Sequence, residues 1–341
     1  MTVSTERPVS ERRAGGALDE QAGRRVPDFF IVGHAKSGTT ALHRMLGNHP
    51  QIHMPAKEPR FFAIEDIDIE GGRLSDVPGR RPRTLDGYLE LFAGARPDQL
   101  IGEATPVYLR SSVAAERMAR VCPDARIIAI LREPVSFLRS FHLQSVRGYN
   151  ESQKDFRKAI ELVQARREGR RVPRRCKTPA DLLYTDHVRY VEQLRRFHAV
   201  YPAAQVLVLI YEDFRADNDA TVRRVLRFLD LDDTPPVGRV RTLPSRDLRL
   251  TPLHSLVRLR RIALRNVALA GALSRAAGTL TPARLRGSVR SRWRRVAFTA
   301  PQAPDERFAR ELRRRFKPEV QALSEYLGRD LVARWGYDDV G

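Results

Sequence analysis

Short apolar runs separated by amphipathic stretches dominate the first two thirds of the chain. Phe29–Val32, Ala125–Leu131 and Ala204–Ile210 are largely apolar, which is typical of strands buried on both faces of a parallel sheet. Between or after them, Leu182–Ala199 and Thr221–Leu229 place apolar residues at helical spacing. This alternation predicts an α/β fold, a doubly wound and mostly parallel sheet with helices on both faces.

The loop after the first strand has the composition of a phosphate cradle. It reads GHAKSGTT from Gly33 to Thr40. Gly33 and Gly38 let the backbone approach a polyanion, and the first amides of the next helix point at it. In an ordinary nucleotide-binding loop, G-x-x-x-x-G-K-[ST], a Lys follows the second Gly. Here Thr39 stands at that position, and the cation is Lys36, inside the loop.

A second candidate anion-binding element follows the strand Ala125–Leu131. Arg132 lies at the carboxyl end of that strand, and Pro134 favours a turn into the next helix. Ser140 is placed about two turns along this helix. Arg offers bidentate donors to a phosphate and Ser a single hydroxyl, so we expect both to face one bound group.

Together the two motifs resemble those of the sulfotransferases that use 3'-phosphoadenylyl sulfate (PAPS), especially the bacterial branch similar to heparan sulfate sulfotransferases. The resemblance runs from about Pro27 to Leu231 and resumes in Leu312–Trp335. It implies a P-loop-like fold, PAPS as the sulfuryl donor and no metal. It implies a 5'-phosphosulfate loop of Lys36, Ser37, Gly38, Thr39 and Thr40, and a 3'-phosphate element of Arg132 and Ser140.

The chain departs from the family pattern within the second motif. Family members often carry a further Arg five residues after the first, where this chain has Phe137. Arg139 stands beside Ser140. It either substitutes for that Arg or is a solvated helix residue.

The segment after the first helix contains a candidate general base. Glu58 is flanked by prolines and followed by Phe61 and Phe62, which can exclude water, and partial burial would raise the pKa of its carboxyl group. The Glu-x-x-Phe-Phe pattern resembles the segment that supplies the catalytic Glu in the heparan-sulfate-type branch. We therefore expect Glu58 as base and Lys36 as electrostatic partner of the leaving phosphate. The alternative is that Lys57 and Glu58 form an exposed ion pair in a turn.

Two histidines compete for the role of base, because cytosolic small-molecule sulfotransferases use a His. His53 lies near the Glu58 segment and His142 lies beside Ser140. Lone histidines are more often structural or solvated.

The segment Ile101–Leu109 resembles one that helps line the acceptor site in the same branch, Gly-Glu-Lys-(Ser/Thr)-Pro-x-Tyr. Ala104 occupies the usual Lys position, which argues against a glycosaminoglycan acceptor. Glu103 is either structural or orients an acceptor.

Composition narrows the domain organisation and the cellular setting. In this chain of 341 residues, residues 1–26 are polar and predict a disordered basic leader, and residues 27–341 predict a single domain with a basic helical insertion at about 250–300. No apolar run is long enough to span a bilayer. With only two cysteines, Cys122 and Cys176, the chain has no disulfide framework, so we expect a reducing cytoplasm.

The formal net charge of +20 raises the question of anionic partners. Residues 255–297 interleave many arginines with apolar residues, which suits a basic amphipathic segment that lies at a membrane surface or covers the active site. No helix-turn-helix, zinc or RNA-binding signature accompanies it, so we expect no nucleic-acid partner.

With this resemblance, we expect a sulfotransferase that moves a sulfuryl group from PAPS to a hydroxyl of a sugar, lipid or secondary metabolite, so that its partner is a small-molecule, carbohydrate or lipid acceptor. One rival is a nucleotide-dependent kinase, which would need a Lys after Gly38 and an acidic Mg²⁺ ligand where the second strand ends in Arg132. The other is a basic membrane- or nucleic-acid-binding protein with a vestigial loop.

Overall fold

The computed structural model describes residues 18–19, 24–55, 57–64, 82–234, 247–248, 298–299 and 305–340. The chain divides into two compact units, one formed by Met1–Thr242 with Glu306–Gly341 and the other by Leu243–Asp305. The predicted insertion at about 250–300 falls in the second unit. Most of it, including residues 255–297, lies outside the described residues.

The strands, in chain order, are β1 (Leu18–Asp19), β2 (Arg24–Arg25), β3 (Phe29–Gly33), β4 (Ile52–His53), β5 (Leu100–Ala104), β6 (Arg126–Leu131), β7 (Val206–Ile210), β8 (Asp247–Leu248) and β9 (Phe298–Thr299). Five of them form one all-parallel sheet in the order β4-β5-β3-β6-β7. The pairs β1-β2 and β8-β9 are antiparallel. The first motif therefore follows the central strand, and the second follows its neighbour.

The helices, in chain order, are α1 (Thr39–Leu46), α2 (Leu85–Leu89), α3 (Ala114–Val121), α4 (Pro134–Arg147), α5 (Phe156–Glu161), α6 (Val163–Arg167), α7 (Tyr190–His198), α8 (Tyr211–Ala216), α9 (Asn218–Phe228), α10 (Glu306–Leu327) and α11 (Leu331–Arg334). Short 3-10 turns cover Phe61–Ala63, Glu90–Phe92, Pro106–Leu109, Pro179–Leu182, Tyr184–Val188 and Ala203–Gln205. Among the described residues, no helix combines the length and the apolarity that a membrane span requires.

Alternate side chains of β3 enter two hydrophobic cores on opposite faces of the sheet. Phe30 and Val32 pack with residues of α4, α7 and α10, whereas Phe29 and Ile31 pack with residues of α1 and α9. A strand that is buried on both faces needs apolar side chains at every position, which explains the continuous run in the sequence. The sheet and its two helical layers confirm the predicted α/β fold.

The predicted elements agree with the structure where the apolar pattern is simple. All three predicted strands are present with ends within two residues, and the predicted helix Thr221–Leu229 is α9. The predicted helix Leu182–Ala199 is wrong in its first half, which forms 3-10 turns before α7 begins at Tyr190.

The predicted leader, residues 1–26, extends too far. Within it, β1 pairs with β2, and the Arg25 guanidinium donates a hydrogen bond of 2.8 Å to the carbonyl of Gln99. Val26 is only 3 % exposed. The polar composition concealed these contacts, because they use the backbone and a guanidinium rather than an apolar stripe.

Candidate active site

The loop between β3 and α1 has a backbone that only glycine allows at two positions. Gly33 has φ of 132°, and a Cβ there would lie 2.5 Å from the Ile130 carbonyl oxygen of the neighbouring strand. Gly38 has φ of 88°, and a Cβ there would lie 2.9 Å from the Phe214 ring. Lys36 also has a positive φ, 69°, which is uncommon for a residue with a side chain. The sharp turn predicted from the sequence is present.

The amino terminus of α1 has the properties of an anion-binding site. The N-cap residue is Gly38, and within the described part of the chain no side-chain cap bond is made there, so the first amides and the positive end of the helix dipole remain available. The Ser37 side chain is fully buried, and its Oγ has no hydrogen-bond partner among the described residues. Thr39 is also buried, whereas Thr40 is exposed. A buried hydroxyl without a partner is costly unless a ligand completes it.

Arg132 joins the second motif to this loop. Its Nη1 donates a hydrogen bond of 2.8 Å to the carbonyl oxygen of Lys36, and its guanidinium carbon lies 4.6 Å from the centre of the Tyr211 ring. The Arg132 Nε is buried and has no partner within the described part of the chain. Because β6 pairs with β3, the residue that follows β6 reaches the loop that follows β3.

Ser140 lies about two turns into α4, as predicted, and is 7 % exposed. The Glu133 carboxylate begins the helix by accepting hydrogen bonds from the amides of Val135 and Ser136 at 3.0 and 2.7 Å. The Ser140 Oγ has no hydrogen-bond partner among the residues described. It is thus a second buried hydroxyl whose bonding is incomplete.

Phe137 explains the departure from the family pattern. Its ring is buried and lies 4.7 Å, centre to centre, from the ring of His34. The His34 Nε2 is in turn 3.0 Å from the amide oxygen of Gln193, and burial lowers the pKa of His34 to about 3. Position 137 therefore serves the core, while the neighbouring Arg139 is half-buried.

Several cations lie near the loop between β3 and α1, residues 33–40, which is called the donor loop below. Burial lowers the pKa of Lys36 below its ordinary value, and the positive charges of Arg147 and Arg132 lower it further. Mutual repulsion of this kind is relieved when a polyanion binds between the cations. The electrostatics of the loop therefore favour a ligand of several negative charges.

Glu58 lies beside the carboxyl end of β5, with its amide donating to the carbonyl of Ala104 at 3.1 Å. Burial raises the pKa of the Glu58 carboxyl group, but the charges and hydrogen bonds of Lys57 and Arg60 outweigh this, so the net pKa lies below its ordinary value. The two cations are 3.0 and 3.1 Å from its carboxylate oxygens. The expectation of a raised pKa was wrong, because it ignored these partners.

Lys57 connects the predicted base to the donor loop. Its Nζ donates to the Thr39 Oγ1 at 3.1 Å as well as to the Glu58 Oε1 at 3.0 Å. The ion pair of the alternative interpretation is therefore present, with a Lys57 side chain that is 16 % exposed and a Glu58 side chain that is 36 % exposed. Sequence reasoning missed this contact, since nothing in the pattern indicates that residues 39 and 57 meet.

His53 and His142, the alternative candidates for the general base, do not share the position of Glu58. His142 is buried, with Nδ1 3.1 Å from the Tyr184 hydroxyl and Nε2 3.1 Å from the Lys154 carbonyl oxygen. His53 pairs with Ile101 in the sheet. This register sets it five residues, about 16 Å at ~3.3 Å per residue, from the level of Gly33. Neither histidine offers a free ring nitrogen beside the donor loop in the arrangement described.

Glu103 belongs to a buried polar cluster behind the Glu58 segment. It accepts hydrogen bonds from the hydroxyls of Tyr88 and Tyr108 at 2.6 and 3.1 Å, and burial raises its pKa to about 7. The Phe62 amide donates to the Tyr108 hydroxyl at 3.4 Å. Since Glu103 is 1 % exposed, its contacts favour the structural role over orientation of an acceptor.

Comparison with known proteins places this arrangement in a family. A family model described as the sulfotransferase family matches residues 27–235. A solved structure, a sulfotransferase from Alicyclobacillus acidocaldarius, superposes with a TM-score of 0.62 at 27 % identity, covering 91 % of this chain and 98 % of that one. The match therefore extends over nearly the whole of both chains.

Two groups of curated relatives also match. The bifunctional heparan sulfate N-deacetylase/N-sulfotransferase 2 of Mus musculus is 28 % identical over 231 residues, which are 66 % of this chain and 24 % of that protein. The heparan sulfate glucosamine 3-O-sulfotransferase 6 of Mus musculus is 35 % identical over 123 residues, 36 % of this chain and 32 % of that protein. The chain thus spans about a quarter to a third of the length of these relatives.

Proposed function

Because the chain belongs to the sulfotransferase family, we propose that it transfers a sulfuryl group from PAPS to a hydroxyl group of a sugar, lipid or secondary metabolite. One observation carries the proposal: three buried polar atoms, one in the loop after β3, one directly after β6 and one on α4, have no hydrogen-bond partner among the described residues. They are the Ser37 Oγ, the Arg132 Nε and the Ser140 Oγ. A donor with phosphates at both ends would complete all three.

The residues present suit such a donor. Lys36, Ser37, Gly38, Thr39 and Thr40 would hold its 5' end through the loop and the amino terminus of α1. Arg132 and Ser140 would hold its 3'-phosphate, with a charged planar donor and a single hydroxyl. The hydrogen bond from Arg132 to the Lys36 carbonyl keeps these two groups of residues in a fixed relation.

The donor supplies an activated sulfuryl group, and the side chains of this protein manage charge and protons around it. Glu58 accepts the proton of the acceptor hydroxyl while that oxygen forms its bond to sulfur. The Lys36 ammonium stabilises the negative charge that stays on the 5'-phosphate when the donor S–O bond breaks. Positioning and charge stabilisation supply most of the acceleration in such group transfers.

Glu58 is suited to this role by its charge state. Since Lys57 and Arg60 keep its pKa below the ordinary value, the carboxylate is ionised throughout the neutral range. It can therefore accept a proton without first losing one, although its basicity is reduced.

The class of acceptor is the less constrained part of the proposal. By their names, the two mouse relatives act on heparan sulfate or its glucosamine, which supports a carbohydrate acceptor. Ala104, at the position where the family pattern has a Lys, argues for one less anionic than heparan sulfate. A cytoplasmic location and peripheral membrane contact through residues 255–297 remain predictions.

Calorimetry with 3'-phosphoadenosine 5'-phosphate tests the donor site without an acceptor. We expect Lys36→Ala and Arg132→Ala each to weaken binding by about tenfold or more, because each removes a charge-assisted contact of ~1.5–3 kcal/mol. Arg44→Ala removes a charge from an exposed position on α1 and should leave the affinity unchanged. Equal binding of ATP, with no loss in the first two variants, would contradict the donor assignment and favour the kinase reading.

A sulfate-transfer screen over hydroxyl compounds then tests the base. Glu58→Gln should keep nucleotide affinity and abolish turnover of any acceptor found. If turnover persists in that variant and disappears in His53→Ala or His142→Ala, the base is a histidine.

A further inference from the structure

Lys57 lies where the donor loop meets the segment of the proposed base. Its ammonium is within hydrogen-bond distance of both Thr39 and Glu58. Arg60 also pairs with Glu58 at 3.1 Å, but among the described residues its side chain donates only to that carboxylate. Two cations therefore share one carboxylate, and Lys57 alone of the two also reaches α1.

The position of the Lys57 ammonium is electrostatically unusual. Thr39 is the first residue of α1, and the amino terminus of a helix carries a partial positive charge that disfavours a cation. Lys36, Arg132 and Arg147 already crowd this region, as the lowered pKa of Lys36 indicates. In the free protein the Glu58 carboxylate, 3.0 Å away, balances the Lys57 charge, and an anion bound at this helix end would give the ammonium a second negative partner.

We propose that Lys57 is a donor-binding residue, whose ammonium contacts the 5'-phosphosulfate end at α1 and holds Glu58 beside the transferring group. The inference rests on the proposed function and extends it to a residue outside the loop. Its carrying observation is the pair of hydrogen bonds that one largely buried ammonium makes to Thr39 and Glu58.

The two contacts of Lys57 make it responsive to the reaction. When Glu58 takes the proton of the acceptor hydroxyl, the carboxyl group becomes neutral and attracts the ammonium less strongly. The positive charge of Lys57 is then directed toward the sulfuryl oxygens and the 5'-phosphate while the donor S–O bond breaks. Lys57 thereby links proton removal to stabilisation of the leaving group.

The test compares Lys57→Met with Arg60→Met, which is a matched control. Each variant removes one of the two cations that pair with Glu58 and keeps most of the apolar stem, but only Lys57 contacts Thr39. Calorimetry with 3'-phosphoadenosine 5'-phosphate at fixed ionic strength is the readout. We expect about a tenfold loss of affinity in Lys57→Met and less than a twofold change in Arg60→Met. Lys57→Arg, which keeps the charge, should recover most of the loss.

Three outcomes separate this inference from the function it rests on. Unchanged affinity in Lys57→Met, with a loss in Lys36→Ala, overturns the role of Lys57 and leaves the donor site standing. An equal loss in Lys57→Met and Arg60→Met shows that the effect runs through Glu58, and also overturns the inference. No loss even in Lys36→Ala means that the proposed function itself fails. A thermal melt of each variant verifies that it is folded.

Discussion

Helix α4 carries two buried polar side chains, Ser140 and His142, that differ in their hydrogen bonding. Ser140 is proposed to bind the donor, and its Oγ, like the Ser37 Oγ and the Arg132 Nε, is buried without a partner among the described residues. Two residues further on, His142 belongs to a network around Glu151 in which both of its ring nitrogens are bonded. Proximity in sequence therefore says little about which region a polar side chain joins.

In the network around Glu151, called the Glu151 network below, both carboxylate oxygens have a donor, although the Arg166 Nε is buried without a partner among the described residues. The Glu151 carboxylate accepts hydrogen bonds from Arg166 at 2.8 Å and from the Tyr184 hydroxyl at 3.0 Å, and the side chains of Glu151 and Arg166 are 0 and 1 % exposed. Such a network stabilises local structure, with a donor on each oxygen of its buried carboxylate. In the loop between β3 and α1, by contrast, a buried hydroxyl without a partner needs an explanation, and the proposed donor supplies one.

The largest effect on stability that we expect comes from removing the buried ion pair between Arg166 and Glu151. Arg166→Met should lower the free energy of unfolding by about 3–5 kcal/mol, because it leaves the Glu151 carboxylate buried without its ion pair. The matched control is Arg167→Met. Arg167 pairs with Asp186 at 2.6 Å but is 42 % exposed, so its loss should cost less than about 1 kcal/mol. Urea denaturation followed by circular dichroism measures both. If the two variants lose similar amounts of unfolding free energy, the buried Arg166–Glu151 pair contributes no more to stability than an exposed ion pair.

Glu103 provides an intermediate case, a buried acid whose tyrosine partners do not fully offset its burial. Its pKa is raised from 4.5 to about 7, so the folded protein retains a proton that the unfolded chain releases. As pH rises from 4.5 to about 7, this group should therefore remove about 3 kcal/mol of stability, and no more above that range.

Glu103→Gln should abolish this part of the pH dependence, because the amide does not titrate. The measurement is the urea midpoint at a series of pH values for the variant and the wild-type chain. If the urea midpoints of the two proteins change with pH in the same way, Glu103 is ionised in the folded state.

The smallest effects on stability are expected for two serines of the proposed donor site, whose loss should change nucleotide affinity instead. Ser37→Ala and Ser140→Ala should leave stability unchanged or raise it by up to about 1 kcal/mol, since each removes a buried hydroxyl without a partner. Each should nevertheless weaken binding of 3'-phosphoadenosine 5'-phosphate by about fivefold. Ser145→Ala is the control on α4. Ser145 is also buried, but its carbonyl oxygen accepts a hydrogen bond from the amide of Glu151, so it lies next to the Glu151 network. If Ser140→Ala lowers the free energy of unfolding but leaves the nucleotide affinity unchanged, Ser140 supports the fold and does not bind the donor.

The parts of the site that could be predicted from the sequence are those determined by backbone geometry. An apolar strand followed by the Gly33 to Thr40 loop requires a sharp turn, and Arg132 follows a strand of the same kind. The strand β5 was missed, because Gly102 and Glu103 interrupt its apolar run. The structure explains that glycine: a Cβ at Gly102 would lie 2.2 Å from the ring of Phe29 and 2.3 Å from the sulfur of Met54.

The parts that could not be predicted depend on contacts between distant segments. The pKa of Glu58 has a direction set by the competition of burial with Lys57 and Arg60, and composition alone does not decide it. The bond between Arg132 and the Lys36 carbonyl exists because the neighbouring strands β6 and β3 end at one edge of the sheet, and the contact between Lys57 and Thr39 joins segments that follow β4 and β3, which have β5 between them.

The bond between Arg132 and the Lys36 carbonyl has a consequence for the entropy of binding. Lys36 holds a left-handed backbone conformation, and Arg132 anchors the carbonyl of that residue. The ordering of the loop is thereby completed during folding, so a ligand meets a rigid receptor and loses little affinity to loop closure. Lysine at position 132 would preserve the charge but not the fork of donors that serves both anchor and ligand. The observed bond to the Lys36 carbonyl and the proposed contact to the 3'-phosphate would therefore both be affected by Arg132→Lys.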